Sequence, residues 1–235
     1  MGRAIHNAIH NELLAAMPRK AYDALAPALA PVTLDFGQVL YNVNAALTHV
    51  YFPCESMVSL LLPVADHFDV EVGMVGREGM VGASLSLGIA QSPVKALVQG
   101  GGSALRLSAA RFRRELADNP ALQRAVNRYV HSLMQQITQT AACNRFHVVE
   151  ARLARRLLMT RDHMRSASFR MTHEFLSHIL GVRRVGVTEA ASSLQRQKLI
   201  EYSRGNIQIL NERGLEAACC SCYGIPKPAA SALLP

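Results

Sequence analysis

The chain has 235 residues, of which 50% are hydrophobic and 18% charged, with a formal net charge of +8. That length predicts two domains with real cores, and no run approaches the ~18 consecutive apolar residues that a membrane span requires. The opening MGRAIHNAIHNELL places His and Asn where a secretion signal needs an apolar block, which predicts a cytoplasmic protein. The five cysteines are then read as thiols rather than as a disulfide framework. The charge is unevenly placed. Residues 145–213 hold 13 Lys/Arg against 6 Asp/Glu, so nearly the whole excess falls on one segment. That is the electrostatic footprint of a polyanion-binding domain attached to a near-neutral one.

In chain order, residues 1–30 read as helical, with Leu13, Leu14, Met17, Leu25 and Leu29 on an apolar face and Pro18 and Pro27 as interruptions. From Val32 the texture changes to short β-type runs cut by Gly, Asn and Pro. Strands at that spacing predict an antiparallel roll or barrel. Ser108 is placed to cap a short helix, and Asn119-Pro120 opens a longer one. There Val126, Val130, Leu133, Ile137, Thr140 and Asn144 follow a heptad-like alternation over about three heptads. Both an ordinary buried helix and a dimer seam produce that pattern.

Residues 147–164 form another amphipathic pattern, with Val149, Leu153 and Leu157 on one face, and 166–170 read as a linker. Then comes the most informative stretch, Met171–Leu210. Leu176, Ile179 and Leu180 mark one face of a helix, Gly181 stands where a helix ends and reverses, and Val187, Ala191 and Leu194 mark a second buried stripe. The opposite face carries Arg183, Arg184, Thr188 and Ser192. Two helices joined by a glycine turn, the second with a basic start, suit a DNA major groove. Ser203-Arg204-Gly205-Asn206 then reads as a hairpin turn between two β runs, the wing of a winged helix. The expected class is α+β. A sensor β-roll (jelly-roll-like) with N-terminal helices spans 1–118 and a dimerisation helix 119–146. A winged helix-turn-helix spans 147–222, and a disordered Pro/Ala-rich tail 223–235.

This order resembles the Crp–Fnr family of bacterial transcription regulators over roughly residues 30–222. The likeness rests on Thr172…Gly181, on Arg183–Leu194 with its wing, and on the glycine-bearing GMVGREGMVG at Gly73–Gly82. It implies a homodimer with double-stranded DNA as partner, bound at an inverted repeat, with RNA polymerase a further partner. It also implies that base contacts come from the first turns of the second helix. Carried over by position, Arg184 is retained, Val185 replaces the family's Glu, and Glu189 replaces its second Arg. Arg184 suits guanine and Val185 a thymine methyl, while Glu189 suits either a cytosine amine or an intramolecular pair that orients Arg184 or a neighbour. Arg183 and Thr188 complete the face, and Thr172, His173 and Arg204 are expected on phosphates. The dimer interface is expected at Val126, Val130, Leu133 and Ile137.

The effector pocket departs from the family. Cyclic-nucleotide-binding members carry Gly-Glu and Arg-Ser/Thr-Ala, where this chain has Gly82-Ala83 and Gln91-Ser92. A phosphate buried without a cationic partner is costly, so no cyclic nucleotide and no other cofactor is expected. The grouped Cys219, Cys220 and Cys222 would need a fourth ligand to hold a soft metal. They are read as small hydrophobes, and no metal site is predicted. No catalytic set of Ser/His/Asp type or phosphate loop is present, so the chain is not expected to be an enzyme. The competing reading is a roll that binds a small molecule or metal, with a winged helix that serves protein interaction.

Overall fold

A computed structural model describes residues 10–65 and 69–223; of the tail expected over 223–235, Tyr223 is described, in a 3-10 turn, and the rest lies outside the described residues. The chain divides into two compact units. Among the described residues the first covers 10–62 and 73–135, and the second 63–65, 69–72 and 136–223.

The first unit opens with two short helices, α1 (Glu12–Ala15) and α2 (Arg19–Leu25). Asn11 caps α1 and is fully buried, yet its side chain is satisfied. Its Nδ2 donates to the carbonyls of Pro53 at 2.8 Å and Gly79 at 2.9 Å, and its Oδ1 accepts from Leu14 N at 3.1 Å. The strands are β1 (Ala30–Leu34), β2 (Val39–Tyr41), β3 (His49–Pro53), β4 (Met57–Leu62), β5 (Val70–Val75, of which 70–72 fall in the second unit), β6 (Lys95–Gly100) and β7 (Gly102–Ser108). They form one sheet of order β1-β7-β3 and another of order β2-β6-β4-β5. Phe52, Met57, Val58, Met74 and Val98 are buried from both sheets. This is the antiparallel roll that the turn-punctuated β runs predict.

Ser108 caps α3 (Ala109–Asp118) by accepting from Arg111 N, and Asn119 accepts from Leu122 N at the start of α4 (Pro120–Phe146). Both start signals operate as the sequence indicates. Within the first unit Tyr129 of α4 lies on the glycine turn, its hydroxyl donating to Met80 O at 2.9 Å. A Cβ on Gly79 would stand 2.1 Å from the Tyr129 ring, so only glycine lets the backbone pass there. Val126 is also fully buried within this unit. It packs inside its own chain and offers nothing to a dimer seam, contrary to the heptad reading.

The second unit is built on α5 (Val149–Met164), followed by β8 (Ser168–Arg170), α6 (His173–Leu180), α7 (Arg184–Arg196), β9 (Ile200–Ser203), β10 (Asn206–Ile209) and α8 (Glu212–Ala218). Its core joins Leu153, Leu157 and Leu158 to Leu176, Leu180, Val187, Ala191 and Leu194, with Ile200, Ile207 and Leu215 beneath the wing. The expected linker 166–170 contains β8, which pairs antiparallel with β10 and makes the wing three-stranded. Three residues are too few for an alternating pattern to register. Arg152, Arg155 and Arg156 on α5 are buried, and Arg156 pairs with Glu71 inside this unit.

Gly79→Ala is expected to destabilise the protein by about 1–3 kcal/mol, the usual cost of an overpacked site. Urea unfolding would measure it, and an unchanged midpoint would mean that Tyr129 moves aside freely.

Candidate nucleic-acid interface

Gly181 ends α6 with φ +61°, a left-handed conformation that glycine adopts without strain. Arg183 then precedes α7 in extended backbone. Burial of Val187, Ala190, Ala191 and Leu194 fixes the roll of α7 about its axis and turns the opposite face outward. Arg183, Arg184, Val185, Thr188, Glu189 and Ser192 are all exposed. Val185 is 67% exposed.

The wing turn stands beside the start of α6. Arg204 and Gly205 have φ of +49° and +83°, so both central residues of the Ser203–Asn206 hairpin are left-handed, as a type I′ turn requires. The Gly205 carbonyl accepts from Met171 N at 2.7 Å. Thr172, exposed at the start of α6, accepts from Phe175 N at 3.2 Å. Exposed Arg204 therefore stands beside the start of α6. A cation beside a helix N-terminus is a local anion-attracting arrangement.

His173 does not present itself as a phosphate contact. Its ring stacks on Tyr202 at 4.1 Å between centroids, and its Nδ1 lies 3.1 Å from Thr188 Oγ1. The Thr188 hydroxyl donates to the Arg184 carbonyl at 3.0 Å, so it accepts from His173, which places the proton on Nδ1. Nε2 is buried with no hydrogen-bond partner among the described residues. Desolvation, and then the Arg184 charge, push the His173 pKa below its ordinary value. His173 thus works from beneath, as a neutral prop between α6, α7 and the wing. Neither Tyr202 nor this use of Thr188 is visible in the sequence, since the three residues are brought together only by the packing of the wing.

The remaining candidates fall elsewhere. Gly82, with φ +93°, precedes a 3-10 turn that begins at Ala83. Gln91 is exposed, and Ser92 is buried with its hydroxyl donating to Val94 O at 2.6 Å. Ser92 is thus committed to its own loop. On α4, Val130 and Leu133 are half-buried, while Ile137 is 36% and Met134 62% exposed. The positive charge also needs revision, because three of the cations counted in 145–213 are the buried Arg152, Arg155 and Arg156. The exposed ones include Arg183, Arg184, Arg196, Lys198 and Arg204.

Residues 151–218 match the model of the Crp-like helix-turn-helix domain. The second unit carries a Crp-like helix-turn-helix. Among solved structures, a Crp/Fnr-family transcriptional regulator from Eubacterium rectale is similar with a TM-score of 0.70 at 16% identity, over 89% of this chain and 98% of that one. FixK2 from Bradyrhizobium japonicum gives 0.70 at 12% identity, over 82% and 98%. A CRP-family regulator from Thermus thermophilus gives 0.66 at 20% identity, over 80% and 95%. No curated protein matches the sequence. The Crp–Fnr fold therefore extends over both units. Among the described residues no helix is long and apolar enough to cross a membrane.

A His with a lowered folded-state pKa stabilises the fold above its unfolded value, near pH 6.5, and that contribution is lost as pH falls through the lowered value. The stability difference between the wild-type protein and His173→Gln should therefore shrink below about pH 6.5. Denaturant midpoints over a pH series would measure it, and a pH-independent difference would refute the neutral-prop assignment.

Proposed function

We propose that the protein is a homodimeric, sequence-specific transcription regulator that reads an inverted repeat in double-stranded DNA. The observation that carries this reading is the outward first turn of α7, with Arg183, Arg184, Val185, Thr188 and Glu189 exposed beside Thr172 and Arg204. Arg184 forks onto guanine O6 and N7, Val185 meets a thymine methyl, and Glu189 accepts from a cytosine amine. Thr172, the first N–H groups of α6, and Arg204 hold phosphate and set the register. Thr188 and His173 orient the reading turn.

Pairing of two chains follows the exposed half of α4, around Val130, Leu133, Met134 and Ile137, without Val126. A two-fold axis would present two copies of α7 to successive major grooves. The role is regulatory rather than enzymatic, in the cytoplasm, with RNA polymerase as a further partner. The roll does not take cyclic AMP in this reading, since Gln91 and Ser92 provide no cation for a phosphate.

Selection of bound sites from random DNA tests the proposal, with an inverted repeat expected. Arg184→Ala should then cost about 1–3 kcal/mol on the selected site and relax specificity at one position. Arg204→Ala should weaken all sequences alike and reduce the salt slope by about 1. Equal losses on specific and nonspecific DNA for Arg184→Ala would overturn the base-reading role. Combined Met134→Glu and Ile137→Glu should convert a dimer to a monomer in sedimentation. Calorimetry with cyclic AMP should give no binding heat.

A further inference from the structure

Away from the reading face, the second unit brings four soft donors together. Cys143 Sγ, a ring nitrogen of His147, Cys220 Sγ and Cys222 Sγ all lie within 4.8 Å of one another. Cys143 and His147 are four residues apart at the end of α4, which puts them on one side of a helical turn. Cys220 and Cys222 come from the chain after α8, where a 3-10 turn covers Ser221–Tyr223. The three sulfurs are buried, and His147 is half-buried. The expected trio of neighbouring thiols is thereby revised. Cys219 donates to the Cys220 carbonyl at 3.3 Å and stays outside the set, while Cys143 and His147 enter it from far away in sequence.

The spacing is that of a coordination shell. Cys143 Sγ and Cys220 Sγ are 3.5 Å apart, as are Cys222 Sγ and His147 Nδ1. Tetrahedral zinc, with bonds of about 2.3 Å to sulfur and about 2.0 Å to nitrogen, sets its ligand atoms about 3.5–3.8 Å apart. Packing of small hydrophobes explains buried sulfurs, but not an imidazole nitrogen aimed among them. A Cys143–Cys220 disulfide would use two of the four donors and leave Cys222 and His147 without a role.

The surroundings fit as well. Gln139 Nε2 donates to Cys222 Sγ at 2.8 Å, as outer-shell groups do around metal thiolates. Three thiolates, a neutral imidazole and a divalent ion sum to one negative charge. The buried guanidinium groups of Arg152 and Arg155 stand close enough to act on these thiols electrostatically. We propose that Cys143, His147, Cys220 and Cys222 bind one zinc ion per chain. Four protein ligands leave no open position, so the site is structural and ties the end of α4 to the segment after α8.

The test measures metal content and does not depend on DNA binding. The full chain, purified with reductant, should carry one zinc per chain by plasma mass spectrometry. The cobalt-substituted chain should show a thiolate-to-cobalt charge-transfer band and the intense visible bands of a tetrahedral site. Cys143→Ser and Cys222→Ser should lose the metal, whereas Cys54→Ser and Cys219→Ser should keep it. His147→Ala should shift the cobalt visible bands and weaken zinc binding at least tenfold. Should the serine variants fold poorly, the cobalt spectrum of the unaltered chain still decides. Absence of that spectrum, metal retained in both Cys143→Ser and Cys222→Ser, or a Cys143–Cys220 disulfide formed under reductant would each overturn the proposal.

Discussion

Burying a guanidinium without partners is costly, and the second unit meets that cost at Arg152. Its Nη2 donates to the Leu180 carbonyl and, at 2.9 Å, to Asn144 Oδ1. Leu180 is the last residue of α6, where the carbonyls have no partners inside the helix and the helix dipole is negative. A cation satisfies both conditions there. Gly181 can then reverse the chain, and α7 begins three residues later. One side chain on α5 thus joins the end of α4 to the turn on which the helix-turn-helix geometry depends. Arg156, four residues on, meets the same requirement through Glu71. Removing one partner of such a buried pair typically costs more than the pair contributes, because the other charge is left stranded.

The first turn of α7 is accordingly held from below. The buried stripe of α7 sets its rotation, and His173, stacked on Tyr202 and bonded to Thr188, fixes the first turn against the wing. Thr188 also donates to Arg184 O, so the backbone of Arg184 is held through the same hydroxyl. Side chains that approach a groove from a rigid helix lose less freedom on binding than side chains on a loop. The contacts that position Arg184 involve residues that need not touch DNA.

Local signals in this chain were legible, and long-range ones were not. Caps at Ser108 and Asn119, the left-handed Gly181 and the Arg204-Gly205 turn each depend on a few neighbouring residues, and each stands where the sequence puts it. The helix stripes were equally readable, because burial imposes a period. The period does not say what does the burying. Val126 satisfies a heptad yet lies in its own chain's core. His173 has the position of a phosphate ligand, but Tyr202 turns it inward. Arg152, Arg155 and Arg156 count toward a basic surface in the sequence and toward the interior in the structure. The thiol cluster was hidden for the same reason, since 77 residues separate Cys143 from Cys220.

The arginine row and the thiol–imidazole cluster are therefore best considered together. Arg156 is compensated by Glu71, whereas Arg152 and Arg155 lie within electrostatic reach of the cluster, which is negative when metal-bound. Arg152 borders the cluster and also caps α6, so its charge serves two partners whose demands add. Gly82, Ala83, Gln91 and Ser92 carry no charge, and Ser92 is closed onto its own loop. The buried charge at the helix-turn-helix turn is thus held by residues of α4 and α5. Arg152, hydrogen-bonded to Leu180 O and to Asn144 Oδ1 beside Cys143, is the cation that the end of α6 shares with the end of α4.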